Sequence, residues 1–403
     1  MLRLLFILLF LSEFLNVIAQ IPSCDGSRYK NCVFGHVDSL MNIQYGKNYT
    51  MNHILENLTM DIYKPKADTV KKRPAIVFMH GGGFVSGKKQ DIKNICVAFA
   101  LRGYVTATIE YRLIDITVID STTVIEGLID AVSDAKAAVR FFVEDAATNN
   151  LFKVDTNFIF ISGISAGGVI ASHVAYLDST DDMPSYLANL INENGGFAGN
   201  SSTNLSYSTP IRGVLNYSGA LLRKEFMSPG EPALFSVHDE GDTIVPCSHG
   251  ASHAYPCIVY CDGSCAMQQE ATLKGIYNDM YLNPTNGHCA YFSTYQQADT
   301  TIQKSADFLW TLICSLTVAV NEQDQFQGKM LVFPNPAIET IHIAFPAQPK
   351  GDEHIQIINL LGILLREVEA KQSTQIDISN LPNGYYFIHL QDHSMKTHIF
   401  IKQ

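Results

Sequence analysis

The sequence predicts an α/β domain with a mostly parallel sheet flanked by helices, followed by a small all-β sandwich. Three observations carry this expectation. Short apolar strands alternate with amphipathic helices from about Leu58 to Ser315. A polar, Gln-rich stretch at 317–328 then reads as a linker. From Met330 onward the helical period is gone, and only strand-like segments separated by Pro, Gly and Asn turns remain.

Taken in order, Arg3, the apolar run Leu4–Leu11 and the small-residue ending Val17-Ile18-Ala19 have the three parts of a secretory signal peptide, residues 1–19. The run is too short to span a bilayer, so no integral membrane segment is expected in the mature protein. The α/β domain is assigned to residues 20–316, the linker to 317–328 and the sandwich to 329–403. Ala75–Met79 is a continuous apolar run, as a strand buried on both faces requires. Tyr104–Ile109 is rich in β-branched residues. From Val124 to Val143, Ile125, Leu128, Ile129, Val132, Ala135, Val139 and Phe142 form a helical stripe. Phe158–Ile161 is a further strand, and Ala166–Leu177 a helix. The strands Gly213–Tyr217 and Ala233–Val237, the helix Ala266–Leu273 and the strand Ile276–Leu282 complete the series. In the tail, strands are expected at Thr340–Phe345, His354–Ile358, Ile363–Val368, Thr374–Ile378, Tyr385–Leu390 and Thr397–Ile401.

The chain has 403 residues, 47% of them hydrophobic and 17% charged, which excludes global disorder. Its net charge is −11 with no basic run, so nucleic acid is excluded as an expected partner. Nine cysteines suit an oxidising compartment. Cys24 and Cys32 are close enough to staple the mature N-terminus. Cys247, Cys257, Cys261 and Cys265 crowd one segment without the paired spacing of a zinc site, so disulfides rather than metal are expected there. Cys96, among Ile95, Val97 and Phe99, reads as an inert buried thiol.

Three motifs carry chemistry. Gly163-Ile164-Ser165-Ala166-Gly167 lies between a strand and a helix, the setting of a nucleophile elbow that lifts the Ser165 hydroxyl above the sheet. His80-Gly81-Gly82-Gly83 follows the strand Ala75–Met79. Its unobstructed amides at Gly81 and Gly82, with that of Ala166, suit an oxyanion hole. His80 itself reads as a residue that orients this loop. The third stretch is His238-Asp239-Glu240-Gly241-Asp242-Thr243-Ile244-Val245-Pro246. A serine hydroxyl needs a histidine base, and that histidine needs a carboxylate. Asp242 is the acid candidate, with Asp239 as its rival. His249 and His253 lie too close to the acid, which leaves His288 as the base. This mechanism needs no metal and no cofactor.

The HGGGF, GISAGG and H-x-x-x-D-x-x-V-P stretches resemble those of α/β-hydrolase esterases and lipases of the HGGG type, over roughly residues 50–315. The resemblance implies hydrolysis of carboxylic esters, with a carbohydrate esterase removing acetyl or feruloyl groups as the alternative. It also marks Asp239 as a departure, since such relatives usually have Gly there. A catalytically silent adhesion protein of this fold would have lost the nucleophile or the base, and both candidates are kept. Val332-Phe-Pro-Asn-Pro336, Ile376–Tyr385 and Phe400-Ile-Lys402 resemble the C-terminal sorting domain of type IX secretion cargo, which implies a secretion machinery as partner and a secreted or cell-surface location. A carbohydrate-binding sandwich is the other reading of the tail. Asn-x-Ser/Thr triplets start at Asn48, Asn57, Asn200, Asn204 and Asn216, but the sorting-domain resemblance points to a bacterium. Asp178–Ser208, polar and rich in Gly and Asn, is the expected substrate-facing cap. Disulfides in the insertion at 247–265 are expected to keep the Asp242 and His288 loops in register.

Overall fold

A computed structural model of the chain describes residues 24, 26–253, 259–315, 331–333, 337–344, 354–359, 363–371, 373–390 and 397–402. The expected signal peptide and linker lie outside them. Two compact units emerge, Met1–Val318 and Ala319–Gln403.

The first unit is built on an eight-stranded sheet. Its strands are β1 (Val37–Tyr49), β2 (Leu55–Pro65), β3 (Arg73–Met79), β4 (Val105–Ile109), β5 (Val154–Ile164), β6 (Gly213–Tyr217), β8 (Ala233–Asp239) and β11 (Asn278–Asn283), in the order β1-β2-β4-β3-β5-β6-β8-β11. β1 pairs antiparallel with β2 and β2 antiparallel with β4, and every later pairing is parallel. β1 escapes sequence reading because most of its residues are exposed or half-buried, so its apolar pattern is weak. Helices cover both faces: α1 (Lys93–Ala100), α2 (Ser121–Ala147), α3 (Ala166–Tyr176), α4 (Ser185–Glu193), α5 (Ser264–Leu273) and α6 (Tyr295–Trp310). α2 starts before its expected stripe because Asp120 caps it, accepting the Thr123 amide at 2.9 Å.

Strand alternation divides the core in two. Val77 and Ile161 face Leu128 and Val139 of α2 and Ile170 of α3. Ile76, Phe78 and Phe160 face Cys96 and Phe99 of α1 and Phe308 and Leu309 of α6. Successive residues of β3 therefore serve opposite layers, which is why its sequence is apolar from Pro74 to Met79. Some of the charges that enter the core are paired. Buried Arg112 contacts Asp134 at 2.9 Å and Asp130 at 3.1 Å, and Ser201 donates to the same Asp134 at 2.5 Å. Burial pushes the Asp130 carboxyl up to about 7.

The cysteine pairing differs from expectation at Cys24 and meets it at Cys96 and in the 247–265 segment. Cys24 bonds Cys314, joining the start of this unit to its end, and Cys32 is free and exposed. Sequence proximity misled here, because Cys32 Sγ instead accepts from Arg102 at 3.2 Å. Cys247 bonds Cys265, and Cys96 and Cys261 are free and buried. Cys257 lies outside the described residues. Asn216 is fully buried and donates to Ser264, so its triplet is not a glycan acceptor in the folded unit.

The second unit has two small antiparallel sheets. One orders β12 (Leu331–Phe333), β13 (Thr340–Ala344) and β16 (Ser373–Asp377). The other orders β15 (Leu364–Glu369), β14 (His354–Asn359), β17 (Gly384–Leu390) and β18 (Thr397–Lys402). Ile341 and Ile343 of one sheet share a core with Ile355, Ile357 and Ile388 of the other, alternating along each strand as a sandwich requires. Among the described residues no helix is long and apolar enough to cross a membrane.

Replacing Asp134 with Ala removes the carboxylate nearest a buried guanidinium. We expect a loss of about 3–5 kcal/mol, read from urea unfolding of the purified protein.

Candidate active site

Ser165 stands between the end of β5 and the start of α3, at φ 55 and ψ −119. A positive φ at a residue with a side chain is strained, and close packing enforces it. A Cβ on Gly163 would lie 2.1 Å from the carbonyl carbon of Gly167. A Cβ on Gly167 would lie 2.2 Å from the Met79 oxygen. Both positions therefore exclude side chains, and the elbow packs directly onto the end of β3. The Ser165 amide donates to the Tyr217 carbonyl at 2.8 Å, fixing the turn to β6 as well.

The segment after β3 is held with equal care. His80 is buried, stacked on Tyr111 at 4.4 Å, and its Nδ1 lies 2.7 Å from the Gly81 oxygen. Tyr111 donates its hydroxyl to the His80 carbonyl at 2.9 Å. His80 thus orients the loop. Gly82 adopts φ +113, and a Cβ there would meet the Ser86 oxygen at 2.1 Å. A Cβ on Gly81 would come within 3.4 Å of the Ser165 Cβ, so the Gly81 backbone lies directly beside the serine. Ala166 opens α3, where an amide has no intrahelical acceptor and the helix dipole is positive.

His288 joins the remaining groups. Its Nε2 lies 2.8 Å from Ser165 Oγ and its Nδ1 lies 2.6 Å from Asp242 Oδ2. The Asp242 side chain is buried, and that of His288 is 23% exposed. Burial pushes the Asp242 carboxyl up. Hydrogen bonds from His238 and His288, the His288 charge and the Val245 amide outweigh burial and hold it well below the usual range. For His288, burial lowers proton affinity, and the contacts with Asp242 and Cys289 overcome this and raise it above 6.5. Asp239 does not touch the imidazole. It accepts from Asn283, Thr285 and Ala290 instead.

An apolar cavity of about 60 Å³ opens beside Ser165, lined by Phe84, Leu128, Val169, Leu221, Val245 and Cys261 among others. It shares Ile125, Leu222 and Val259 with an outer cleft of about 390 Å³, where Tyr186, Arg223 and Tyr260 are found. The expected cap at 178–208 gives the inner cavity no residue. α4 packs Leu187 and Ile191 against Ile125, Ile129 and Phe226, and only Pro184, Tyr186 and Leu187 reach the outer cleft. One side of the inner wall, Ser252, Val259 and Cys261, comes instead from a hairpin that sequence reading did not identify as lining, β9 (His249–Ser252) and β10 (Val259–Gly263). This hairpin pairs through β10 with β7 (Ala220–Leu221), and Cys247–Cys265 closes its base. No bond links Cys247 to the His288 loop, where Cys289 is a free thiol.

Residues 60–220 match the family model BD-FAE, a span that includes Gly81, Gly82, Ser165 and Ala166 but ends before Asp242 and His288. Residues 331–403 match the secretion system C-terminal sorting domain. No curated protein matches the chain in sequence. Among solved structures, esterase 2 of Thermogutta terrifontis phosphoramylated by tabun is similar, with 20% identity, a TM-score of 0.51, and 70% of this chain and 96% of that chain covered. The same protein phosphorylated by paraoxon gives 20% identity and 0.50, over 72% and 97%. Its apo form gives 20% and 0.50, over 70% and 97%. At this identity the likeness is one of fold.

Gly167→Ala forces the elbow and the β3 end apart. We expect a stability loss of about 1–3 kcal/mol, seen in thermal melts, together with reduced ester turnover.

Proposed function

We propose that this chain, an α/β-hydrolase of the esterase type with a BD-FAE domain and a secretion-system sorting domain, is a secreted serine esterase. Ser165 Oγ attacks the carbonyl carbon of a carboxylic ester while His288 Nε2 takes its proton. Asp242 holds the Nδ1–H, fixing the tautomer and stabilising the imidazolium that forms. The amides of Gly81, Gly82 and Ala166 receive the oxyanion of the tetrahedral intermediate. His288 then gives its proton to the departing alcohol, leaving an acyl group on Ser165. Water, deprotonated by the same imidazole, attacks that acyl group and releases the acid. The sorting domain, residues 329–403, directs export through its secretion machinery after removal of residues 1–19, and 317–328 links it to the α/β domain of residues 20–316.

The observation that carries this reading is the unbroken hydrogen-bonded chain from Ser165 through His288 to Asp242, at 2.8 and 2.6 Å. Paraoxon phosphorylates the Thermogutta terrifontis esterase of similar fold, so paraoxon is a suitable covalent probe of Ser165. The narrow inner cavity favours short acyl groups, and turnover of p-nitrophenyl acetate should exceed that of the decanoate. A second reading, release of acetyl or feruloyl groups from plant polysaccharide, is favoured by the exposed Tyr186 and Tyr260 on the outer cleft. Release of acetate from acetylated xylan tests it.

Ser165→Ala should cut kcat by a factor on the order of 10⁶ with folding intact, and a variant keeping a tenth of wild-type turnover refutes the assignment. His288 must be neutral to act as base, and its proton affinity is raised. The acid limb of kcat/KM should therefore lie above pH 6.5, with activity rising as pH increases through it. Asp242→Asn should lower kcat by roughly 10⁴ and move that limb to lower pH.

A further inference from the structure

The carboxylate three residues before Asp242 has no part in the mechanism above, yet it is wholly buried at the end of β8. Asp239 Oδ1 accepts from Asn283 Nδ2 and Thr285 Oγ1, each at 2.5 Å, and Oδ2 accepts from the Ala290 amide at 2.8 Å. These donors bracket His288. Asn283, the last residue of β11, and Thr285, two residues beyond it, precede it, and Ala290 follows it just after Cys289, which is held at φ 60. Two backbone bonds of 2.9 Å, Glu240 amide to Asn283 carbonyl and Gly241 amide to Thr285 carbonyl, run alongside.

We propose that Asp239 is a positioning residue that fixes the loop carrying His288, so that one short turn holds both the base's ring, through Asp242, and the base's backbone, through Asp239. The inference rests on the triad reading above. Strand pairing does not require this carboxylate, because β8 and β11 already pair in parallel over six residue positions. Its contribution is to the segment from Thr285 to Ala290, which no strand holds. A carboxylate suits the task because three donors converge on it. An asparagine would turn an N–H toward at least one of them and leave that donor without an acceptor.

The test uses the full chain with Asp239→Asn, Thr285→Val and the double variant, assayed on p-nitrophenyl acetate well below the thermal midpoint. A displacement near 1 Å costs about 100-fold, so kcat should fall roughly 10- to 100-fold while KM stays within about twofold. Because both substitutions cut the same tether, the double variant should lose little more than the worse single one. A merely structural role would lower the thermal midpoint and leave kcat of the folded protein unchanged. A folded Asp239→Asn with wild-type kcat overturns the inference. Should that variant not fold, Thr285→Val decides by the same criterion, since it keeps two of the three donors. Ser165→Ala separates the two levels. If that variant stays active, the triad reading fails. If it is inactive while Asp239→Asn is fully active, this inference alone fails.

Discussion

The geometry at the head of the sheet depends on two stretches of backbone meeting with no side chain between them. Gly167 lies so close to the Met79 carbonyl that a methyl group would sit 2.2 Å from it, and Gly163 and Gly167 are in equally tight contact. That contact brings the first turn of α3 against the loop after β3. It sets the Ser165 hydroxyl, the Ala166 amide and the Gly81 backbone around one point. The positive φ of Ser165 is tolerated because β6, through the Tyr217 carbonyl, holds the turn from the other side. Strain at one residue is thus carried by three neighbouring strands.

Opposite this elbow, the turn after β8 gathers the polar groups. Asp242 is buried and has His288, His238 and the amides of Ile244 and Val245 within hydrogen-bonding reach or close to it. That surplus of donors keeps the carboxylate ionised despite burial. His238 is itself fixed, with Nδ1 2.7 Å from Ser264 Oγ and Nε2 2.9 Å from the Val245 carbonyl. The imidazole of His288, unlike the Asp242 carboxylate it contacts, is partly open to solvent.

The hairpin of β9 and β10 shows how an insertion between Asp242 and His288 can shape a pocket. It grows from residues just after Val245, pairs with β7 and returns into α5, with Cys247–Cys265 bonding the two ends of the excursion. Val259 and Cys261 then form cavity wall, while His249 turns to Asp262 at 2.9 Å and stacks on Tyr260. The disulfide therefore braces the pocket wall, and the His288 loop is tied down by Asp239 instead.

Local periodicity determined most of the elements. The run at Ala75–Met79 is a buried strand with nothing polar in it, Gly213–Tyr217 and Ala233–Val237 each bury one polar residue, Asn216 and Ser236, that bond to each other, and the tail strands alternate with period two. Ser165 and the glycines around it were legible too, since a sharp turn tolerates few residue types. Tertiary structure decided what depends on distance through space. Cys24 reaches Cys314 across 290 positions, β1 finds its place by pairing rather than by apolar pattern, and one side of the cavity comes from a hairpin instead of the segment after α3. Asp239 and Asp242 are chemically alike and three positions apart. Only the packing of β8 beside β11 directs one to the imidazole and the other to the backbone that carries it. A sequence states which groups can bond, and the folded sheet states which of them are within reach.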